Sequence, residues 1–354
     1  MNSVSDKVRC AVIGAGYWGT FAHIPAIIGH PNASLEAIQN RDPAKAEKVA
    51  RDFNVPRGFT DANELLDETE LDAVIVSSTP NMHYEHAGAA IERGLHVLIE
   101  KPMALRVKEA RELCELADRK GVGLVLSSPW HYTPHSVEAR RLIREGEIGE
   151  IKMISILMTN PVHDLLKGIN TKPTHDDSDT YLEPEPGSYD DPDIAGGGQI
   201  FCQVTHPAAY LPFLTGARPK EVFSHMDYYS MFRDLYDVLA IKMDDDTLVS
   251  LASTGATPLE ERNYEVRVYG TRGVLFLELW KGTFSRIDFG NRWVHYPDLK
   301  SDELYPEQAP AINLIDYVLG RSPNESPGTL GLAAIEIAEA ARKSSHTGEN
   351  EILR

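Results

Sequence analysis

The stretch that decides the fold is Val8-Arg9-Cys10-Ala11-Val12-Ile13-Gly14-Ala15-Gly16-Tyr17-Trp18-Gly19. It begins with a nearly continuous apolar run, typical of a buried strand, and continues as G-x-G-x-x-G into a helical pattern. In this context the glycines allow a tight turn, the approach of a pyrophosphate to bare backbone, and close packing of helix on strand. The helix N-terminus adds N–H donors and a partial positive charge. The stretch therefore predicts a dinucleotide site that includes Tyr17 and Trp18; the alternative is a plain glycine turn.

Short apolar runs alternate with amphipathic stretches through the first 125 residues. The predicted strands are Val8–Ile13, Leu35–Ile38, Ala73–Val76, Val97–Ile99 and Leu124–Leu126, and the predicted helices are Pro43–Phe53, Tyr84–Arg93 and Val107–Lys120. This alternation is the βαβ pattern of a mostly parallel sheet.

The pattern changes after about residue 150. Strands are predicted at 151–159, Val238–Met243, Leu248–Ser253, Tyr264–Tyr269 and Val274–Leu279, and two helices follow at Pro310–Leu319 and Gly328–Lys343. Because no long helical pattern separates these strands, we expect an antiparallel or mixed sheet with one packed face and one exposed face.

Composition narrows the class of protein. The 354 residues are enough for two domains, and the net charge of −18 argues against nucleic acid or anionic membrane surfaces as partners. The three cysteines are scattered, as in proteins with reduced thiols, and no apolar stretch is long enough to cross a membrane. We expect a soluble, cytoplasmic protein.

The cofactor prediction depends on the end of the second strand. An acidic residue is normally expected about 20 residues after the glycine turn, where it holds a ribose 2′-hydroxyl. The chain has Asn40 and Arg41 there, and the Arg41 guanidinium can bind a 2′-phosphate through two hydrogen bonds. This favours NADP over NAD. The alternative is that Arg41 faces solvent while Asn40 bonds a ribose hydroxyl.

Polar residues follow two other strands of the predicted parallel sheet. They are Glu100-Lys101-Pro102 after one strand, and Ser78-Thr79-Pro80-Asn81 with His83 after another. Open α/β sheets bind ligands at this edge, so we expect these residues around the cofactor. A lysine beside a cationic nicotinamide is disfavoured as ammonium, and it can exchange a proton with a substrate hydroxyl. The alternative is a solvated Lys101 paired with Glu100.

Together these motifs, with Gly-Glu-Ile-Gly-Glu-Ile at residues 146–151, resemble the Gfo/Idh/MocA oxidoreductase family over almost the whole chain. The resemblance implies an α/β fold: an N-terminal Rossmann domain (1–127) and a C-terminal α+β domain (128–354) with an open-faced, mostly antiparallel sheet. It implies hydride transfer between a nicotinamide and a ring carbon of a sugar, sugar derivative or cyclitol, with Lys101 as the proton-transfer residue. An exposed sheet face would favour a homodimer or homotetramer.

A second family motif runs from Gly196 to His206. His206 matches the family histidine and is expected to assist proton transfer or anchor the substrate hydroxyl. Cys202 stands where the family usually has Asp, and Pro207 predicts a kink or a restart of the helix. The expected substrate residues are Cys202, Gln203 and His206, together with Trp130, His131 and Tyr132 at the position of the family's Asn-x-Arg. Trp130 and Tyr132 offer flat faces for a sugar ring, or they pack the domain.

The segment 163–193 is acidic and is expected to form a long surface loop that borders the substrate cleft. It contains His163-Asp164 and His175-Asp176-Asp177 with Asp179, but these spacings match no metal motif, so no metal is expected. Two other functions stay open. One is a glycosidase that cycles a bound NAD through transient oxidation, and the other is a catalytically silent dinucleotide sensor.

Overall fold

The computed structural model describes residues 7–169, 181–185, 187–229 and 233–353. These residues form two compact units. The first contains residues 7–129, the described part of 181–188, and residues 307–332, and the second contains the remainder. The division crosses the last long helix of the chain, at residues 332–333.

The first unit is built around a six-stranded sheet. Its strands are β1 Val8–Ile13, β2 Ala33–Gln39, β3 Arg57–Phe59, β4 Ala73–Val76, β5 His96–Ile99 and β6 Leu124–Leu126. All neighbours are parallel, in the order β3-β2-β1-β4-β5-β6. The helices are α1 Ile24–Gly29, α2 Pro43–Asp52, α3 Ala62–Glu68, α4 Pro80–Glu92, α5 Val107–Lys120 and, later in the chain, α10 Ala309–Val318. The strand order reverses direction between β1 and β4, so a ligand crevice is expected at the carboxyl ends of these two strands.

Several elements of this unit have the bounds that the sequence predicts, among them β1, β4, β6 and α5. Helix α4 begins at Pro80 rather than at the predicted Tyr84, because proline suits the first turn and Thr79 before it has an extended backbone. Strand β3 was not predicted. It is three residues long, and two of its three residues are exposed, which leaves no apolar pattern to detect.

The second unit is built around a nine-stranded sheet. Its strands are β7 Ile151–Thr159, β8 Pro219–Asp227, β9 Tyr236–Met243, β10 Leu248–Thr254, β11 Asn263–Gly270, β12 Gly273–Glu278, β13 Thr283–Asp288, β14 Trp293–His295 and β15 Glu351–Ile352. Their order is β14-β13-β12-β11-β7-β10-β9-β8-β15, and every neighbouring pair is antiparallel except β7 with β10. Burial alternates along β9 and β11, so one face is packed. The predicted fold class is confirmed.

The helices of this part of the chain are α6 Pro134–Arg144, α7 His163–Leu166, α8 Pro192–Ala195, α9 Thr205–Thr215 and α11 Gly328–Thr347. The short helices α7 and α8 stand at the two ends of the predicted loop 163–193. His175, Asp176, Asp177 and Asp179 lie outside the described residues. Among the described helices none is long and apolar enough to span a bilayer. The same residues contain no group of three or more potential metal ligands.

Candidate active site

The glycine turn after β1 is shaped by its three glycines. Gly14 has φ +84°, and a Cβ there would overlap the backbone of residues 77–78 at the end of β4. A Cβ on Gly19 would lie 2.9 Å from the carbonyl oxygen of Gly14, whereas one on Gly16 would meet nothing closer than 4.0 Å. At the first and third positions close packing leaves no room for a side chain, whereas at the second position the space over the backbone is open. This turn fits a dinucleotide pyrophosphate.

The turn is held to the end of β2 and leads into a helix. The N–H groups of Gly14 and Ala15 donate to the carbonyl oxygen of Gln39, at 3.1 and 2.8 Å. The N–H of Gly16 donates to the carbonyl oxygen of Gly14 at 2.7 Å, and the first helical bond runs from the N–H of Thr20 to the carbonyl oxygen of Gly16. The rings of Tyr17 and Trp18 lie 5.8 and 5.6 Å from the ring of Phe21, so these side chains pack over the first helical turn.

His83 joins the two loops that follow β4 and β5. It lies at hydrogen-bond distance from two carbonyl oxygens, with Nδ1 2.8 Å from that of Pro102 and Nε2 2.9 Å from that of Ser78. Burial lowers the pKa of His83, against the opposing effect of these two carbonyl groups. In the Ser78 loop, the Thr79 hydroxyl donates to Asn81 Oδ1 at 2.7 Å. His83 thus fixes the position of the loop that carries Lys101.

Glu100 is a buried carboxylate beside Lys101. Its Oε1 lies 2.8 Å from Nε2 of His23, which is fully buried, and its Oε2 accepts the backbone N–H of Lys101 at 3.3 Å. Burial raises the pKa of Glu100, but the bond and charge of His23, with the charge of Lys101, outweigh it and hold that pKa below its usual value. Sequence reasoning missed His23. A histidine inside the apolar helix after the glycine turn is the signal that was available.

At the end of β2, Asn40 and Arg41 have different environments. Asn40 is buried, donates from Nδ2 to the carbonyl oxygen of Ala15 at 2.9 Å, and accepts the N–H of Asp42 at 3.0 Å. Asp42 in turn caps α2, as predicted from its position before Pro43. Arg41 forms an ion pair with Glu185, a residue 144 positions further along the chain. Asn40 therefore stabilises the glycine turn, whereas Arg41 supplies an exposed positive charge next to it.

In the second unit His206 lies near the start of α9 and is 5% exposed. Its ring stands edge-on to Trp130, with 4.8 Å between centroids. Trp130 is 2% exposed and has three further aromatic neighbours, Tyr264, Trp280 and Tyr305. These contacts support the interpretation that Trp130 packs the domain. In this position its ring lies behind that of His206.

His131 and Tyr132 follow Trp130 in a short turn of helix. His131 is buried, and its ring stacks on Phe213 at 4.3 Å between centroids. Burial, with the charge of Arg140, lowers the pKa of His131 to about 3, so the ring is neutral. Tyr132 is half-buried.

The helix that carries His206 changes its winding. It is π-helical over Ile200–Val204 and α-helical from Thr205, two residues before Pro207. Such a change accommodates the N–H that proline lacks. Cys202 packs with Val162, Leu166 and Leu235, and Gln203 Nε2 donates to its sulfur at 3.5 Å. Gln203 also accepts from Asn160 at 2.7 Å, so these two predicted substrate residues belong to a network within this unit.

A buried pair of carboxyl groups, Asp234 and Asp237, lies beneath the glycine run 196–198. Asp234 Oδ2 accepts the N–H of Ile200 at 2.6 Å, and a Cβ on Gly198 would overlap the Asp234 carboxylate. Burial raises the pKa of Asp237 well above its usual range, and the charge of Asp234 adds to this effect. The pair thus keeps a proton while it anchors the start of the helix.

Comparisons with known proteins place the chain in a family. The model of the oxidoreductase family with an NAD-binding Rossmann fold matches residues 8–127, and the model of the GFO/IDH/MocA C-terminal domain matches residues 136–276. An uncharacterized oxidoreductase of Synechocystis is 30% identical over 307 residues, which cover 83% of this chain and 77% of that protein.

Two further relatives extend the comparison. A dTDP-3,4-didehydro-2,6-dideoxy-α-D-glucose 3-reductase of Streptomyces antibioticus is 32% identical over 158 residues, 44% of this chain and 48% of that one. The crystal structure of a protein of gentamicin A biosynthesis in complex with NAD is similar in fold. Its TM-score is 0.78 at 21% identity, over 99% of this chain and 97% of that one. The predicted enzyme class, an NAD(P)-dependent dehydrogenase or reductase, is confirmed. The chain is an NAD-binding oxidoreductase of the GFO/IDH/MocA family.

Proposed function

We propose that the protein transfers hydride between a nicotinamide cofactor and a ring CH–OH carbon of a sugar, sugar derivative or cyclitol. The observation that carries this proposal is the placement of Lys101. It is the second residue after β5, at the same sheet edge as the glycine turn, and its loop is held by Glu100 and His83. The sugar-nucleotide reductase among the relatives supports a sugar-like substrate.

In this proposal the residues of the glycine turn, with Asn40, Ser78, Thr79, Pro80, Asn81 and His83, surround the cofactor. The cofactor, when bound, supplies the hydride acceptor or donor. Lys101 handles the proton: its Nζ takes the proton from the substrate hydroxyl during oxidation and returns it during reduction. Glu100 and His83 act as positioning residues because they hold the Lys101 backbone.

His206 is proposed to position the substrate hydroxyl. Cys202 stands where the family has a carboxylate, and this difference in residue type is the reason for assigning His206 an orienting role. The edge-on contact with Trp130 and the π-helical turn before Thr205 fix the ring. His206 is therefore proposed to orient the hydroxyl rather than to accept its proton. If this assignment holds, Cys202→Asp increases kcat by restoring the pair.

NADP is proposed as the preferred cofactor, with Arg41 as the residue that distinguishes it from NAD. Arg41→Ala should weaken the binding of NADPH and leave that of NADH nearly unchanged. Dissociation constants from fluorescence titration of both cofactors test this. Equal effects on the two cofactors, or tighter binding of NADH by the unsubstituted enzyme, would show that no 2′-phosphate is bound there.

The test of the activity is a panel of sugars, sugar acids and cyclitols, each incubated with NAD⁺ and with NADP⁺ and followed by absorbance. Net formation of reduced cofactor distinguishes a dehydrogenase from a redox-cycling glycosidase. Lys101→Met should lower kcat about 10²–10⁴-fold, the usual cost of losing a general base, and leave cofactor binding intact. Lys108→Met is the matched control, since that lysine side chain is exposed on α5. Unchanged turnover in Lys101→Met would support the silent-sensor function instead.

We also propose that the chain forms a homodimer or homotetramer in the cytoplasm. The outer face of the large sheet exposes Met153 and Leu157 on β7, Val238 on β9 and Leu248 on β10. Apolar residues on neighbouring strands form a surface that a second copy can cover. Sedimentation velocity tests the assembly, and Val238→Lys should dissociate it.

A further inference from the structure

Residues 181–185, here called the acidic strap, lie along helix α2 and bring a carboxylate to its first turn. Glu185 contacts two cations there: Lys45 Nζ at 2.7 Å, and the guanidinium of Arg41. Lys45 belongs to the first turn of α2, and Arg41 stands two residues before the helix begins. The Asp42 carboxylate caps the first turn of α2, so the two cations rather than the helix amides make the anion site that Glu185 fills.

The other end of the strap is also fixed to α2. The hydroxyl of Tyr181 donates to Asp52 Oδ2 at 2.8 Å, and Lys48 Nζ lies 3.5 Å from the centre of its ring. The ring of Phe53 meets that of Tyr181 edge-on at 5.1 Å. The strap therefore spans α2 from its C-terminal end to its N-terminal end, and its Glu185 carboxylate is held at a defined place.

We propose that Glu185 occupies the 2′-phosphate site, and that NADP binds by displacing this carboxylate from Arg41 and Lys45. The inference rests on the proposed NADP preference, and it adds Lys45 as a second phosphate contact and Glu185 as a built-in competitor. A 2′-phosphate carries more negative charge than a carboxylate and offers three acceptor oxygens, so it can replace Glu185 on both cations. NAD has no such group and leaves the ion pairs in place.

The proposal predicts opposite roles for the charges in the cluster. The two cations favour NADP, whereas the glutamate opposes it, since its release costs two ion pairs. Lys48, Asp52 and Phe53 hold Tyr181 away from the exchange point, so only the Glu185 end of the strap needs to move. The selectivity between NADP and NAD is therefore set partly by the strap, and not only by the residue that follows β2.

The test compares Glu185→Gln with the unsubstituted enzyme by calorimetric titration of NADP⁺ and NAD⁺. Glu185→Gln should tighten the binding of NADP⁺ about 3- to 20-fold, because partly exposed ion pairs are individually weak, and change that of NAD⁺ less than about 2-fold. Glu183→Gln, two residues away on the exposed side of the strap, removes the same charge and should change neither. Lys45→Met should weaken NADP⁺ binding selectively.

A second measurement detects the displacement itself. Hydrogen exchange of the peptide that contains residues 181–185 should become faster with saturating NADP⁺ and not with NAD⁺. An unchanged or weaker affinity of Glu185→Gln for NADP⁺ overturns the inference, as does a loss of NAD⁺ affinity, which would make Glu185 a ribose ligand. If Arg41→Ala weakens NADP⁺ selectively while Glu185→Gln has no effect, the exchange fails and the NADP preference stands. If Arg41→Ala has no selective effect, the preference itself fails.

Discussion

Asp237 is the position where a substitution should make the protein more stable. Asp237 is 1% exposed on β9, and the Asp234 carboxyl group lies beside it, so the two can share a hydrogen bond only when one of them is protonated. Asp237→Asn keeps the size of the side chain and removes the acid. The new amide can donate to the Asp234 carboxylate, which still accepts the N–H of Ile200.

The sign of the pH effect follows from the direction of the shift. Burial raises the pKa of Asp237 above its value in the unfolded chain, so the folded protein keeps a proton that the unfolded chain releases. The stability linked to this group is complete at pH values below the unfolded pKa and is lost as the pH rises through the folded pKa. Asp237→Asn does not titrate, so its advantage should grow with pH.

The size of the effect follows from ionising a buried carboxyl group at high pH. Leaving a buried polar group unsatisfied costs about 1–3 kcal/mol, and more when the group is charged. For a unit of this size that free energy corresponds to a rise in Tm of roughly 2–4 °C per kcal/mol. We therefore expect Asp237→Asn to unfold several degrees higher than the unsubstituted protein at pH 8.5, with a smaller difference at pH 5.

Thermal unfolding at these two pH values measures the difference. Asp193→Asn, an exposed carboxylate of the same unit, is the control for the change in net charge and should leave Tm nearly unchanged. A Tm of Asp237→Asn below that of the unsubstituted protein at pH 8.5 would mean that the carboxylate is ionised and well solvated in the fold. An equal rise at both pH values would refute the linkage to a proton.

Three further outcomes are expected. Gly14→Ala should destabilise the protein by about 2–5 kcal/mol in denaturant titration and abolish cofactor binding. The reason is that a Cβ there overlaps the backbone at Ser78 and that the left-handed conformation is strained. Gly88→Ala on α4 is the control and should be nearly neutral in the same titration. Tyr264→Phe should raise the free energy of unfolding by about 1 kcal/mol, since its fully buried hydroxyl has no hydrogen-bond partner among the described residues. A lower free energy of unfolding would show that the Tyr264 hydroxyl forms a hydrogen bond in the folded protein. His206→Ala should raise KM more than it lowers kcat, and the reverse pattern in steady-state kinetics would make His206 the proton acceptor.

The sequence predicted the sheet of the first unit well because buried parallel strands leave long apolar runs. Strand β1 and the glycine turn form one uninterrupted signal, and the structure uses each glycine for a separate steric reason. The second sheet was also recognised, since burial alternates along its strands. Helix α6 was not predicted, although Thr133 followed by Pro134 is a typical helix start; the helix begins directly after the short helical turn that contains Trp130.

Tertiary contacts decided what the sequence left open. Trp130 had two interpretations from its chemistry alone, and only the positions of Tyr264, Trp280 and Tyr305 show how deeply it is packed. The bond between His23 and Glu100 joins residues 77 positions apart, and no spacing rule connects them. From the sequence, Asp234 and Asp237 are typical of an ordinary polar turn and strand, and only their burial shows that they form a buried pair.

The end of β2 shows why a cofactor rule based on spacing has a physical limit. The rule asks whether the residue after the strand is acidic, because a carboxylate there holds the ribose and repels a 2′-phosphate. Both effects depend on the charge present at that point in space, and the chain can supply that charge from elsewhere. Glu185, 144 residues further along the chain, supplies a negative charge there and pairs with Arg41, the cation that the rule counts in favour of NADP. Under the proposed exchange, the selectivity therefore depends on how firmly Glu185 holds Arg41 and Lys45, while the contacts of Tyr181 with Lys48 and Asp52 keep the rest of residues 181–185 on α2.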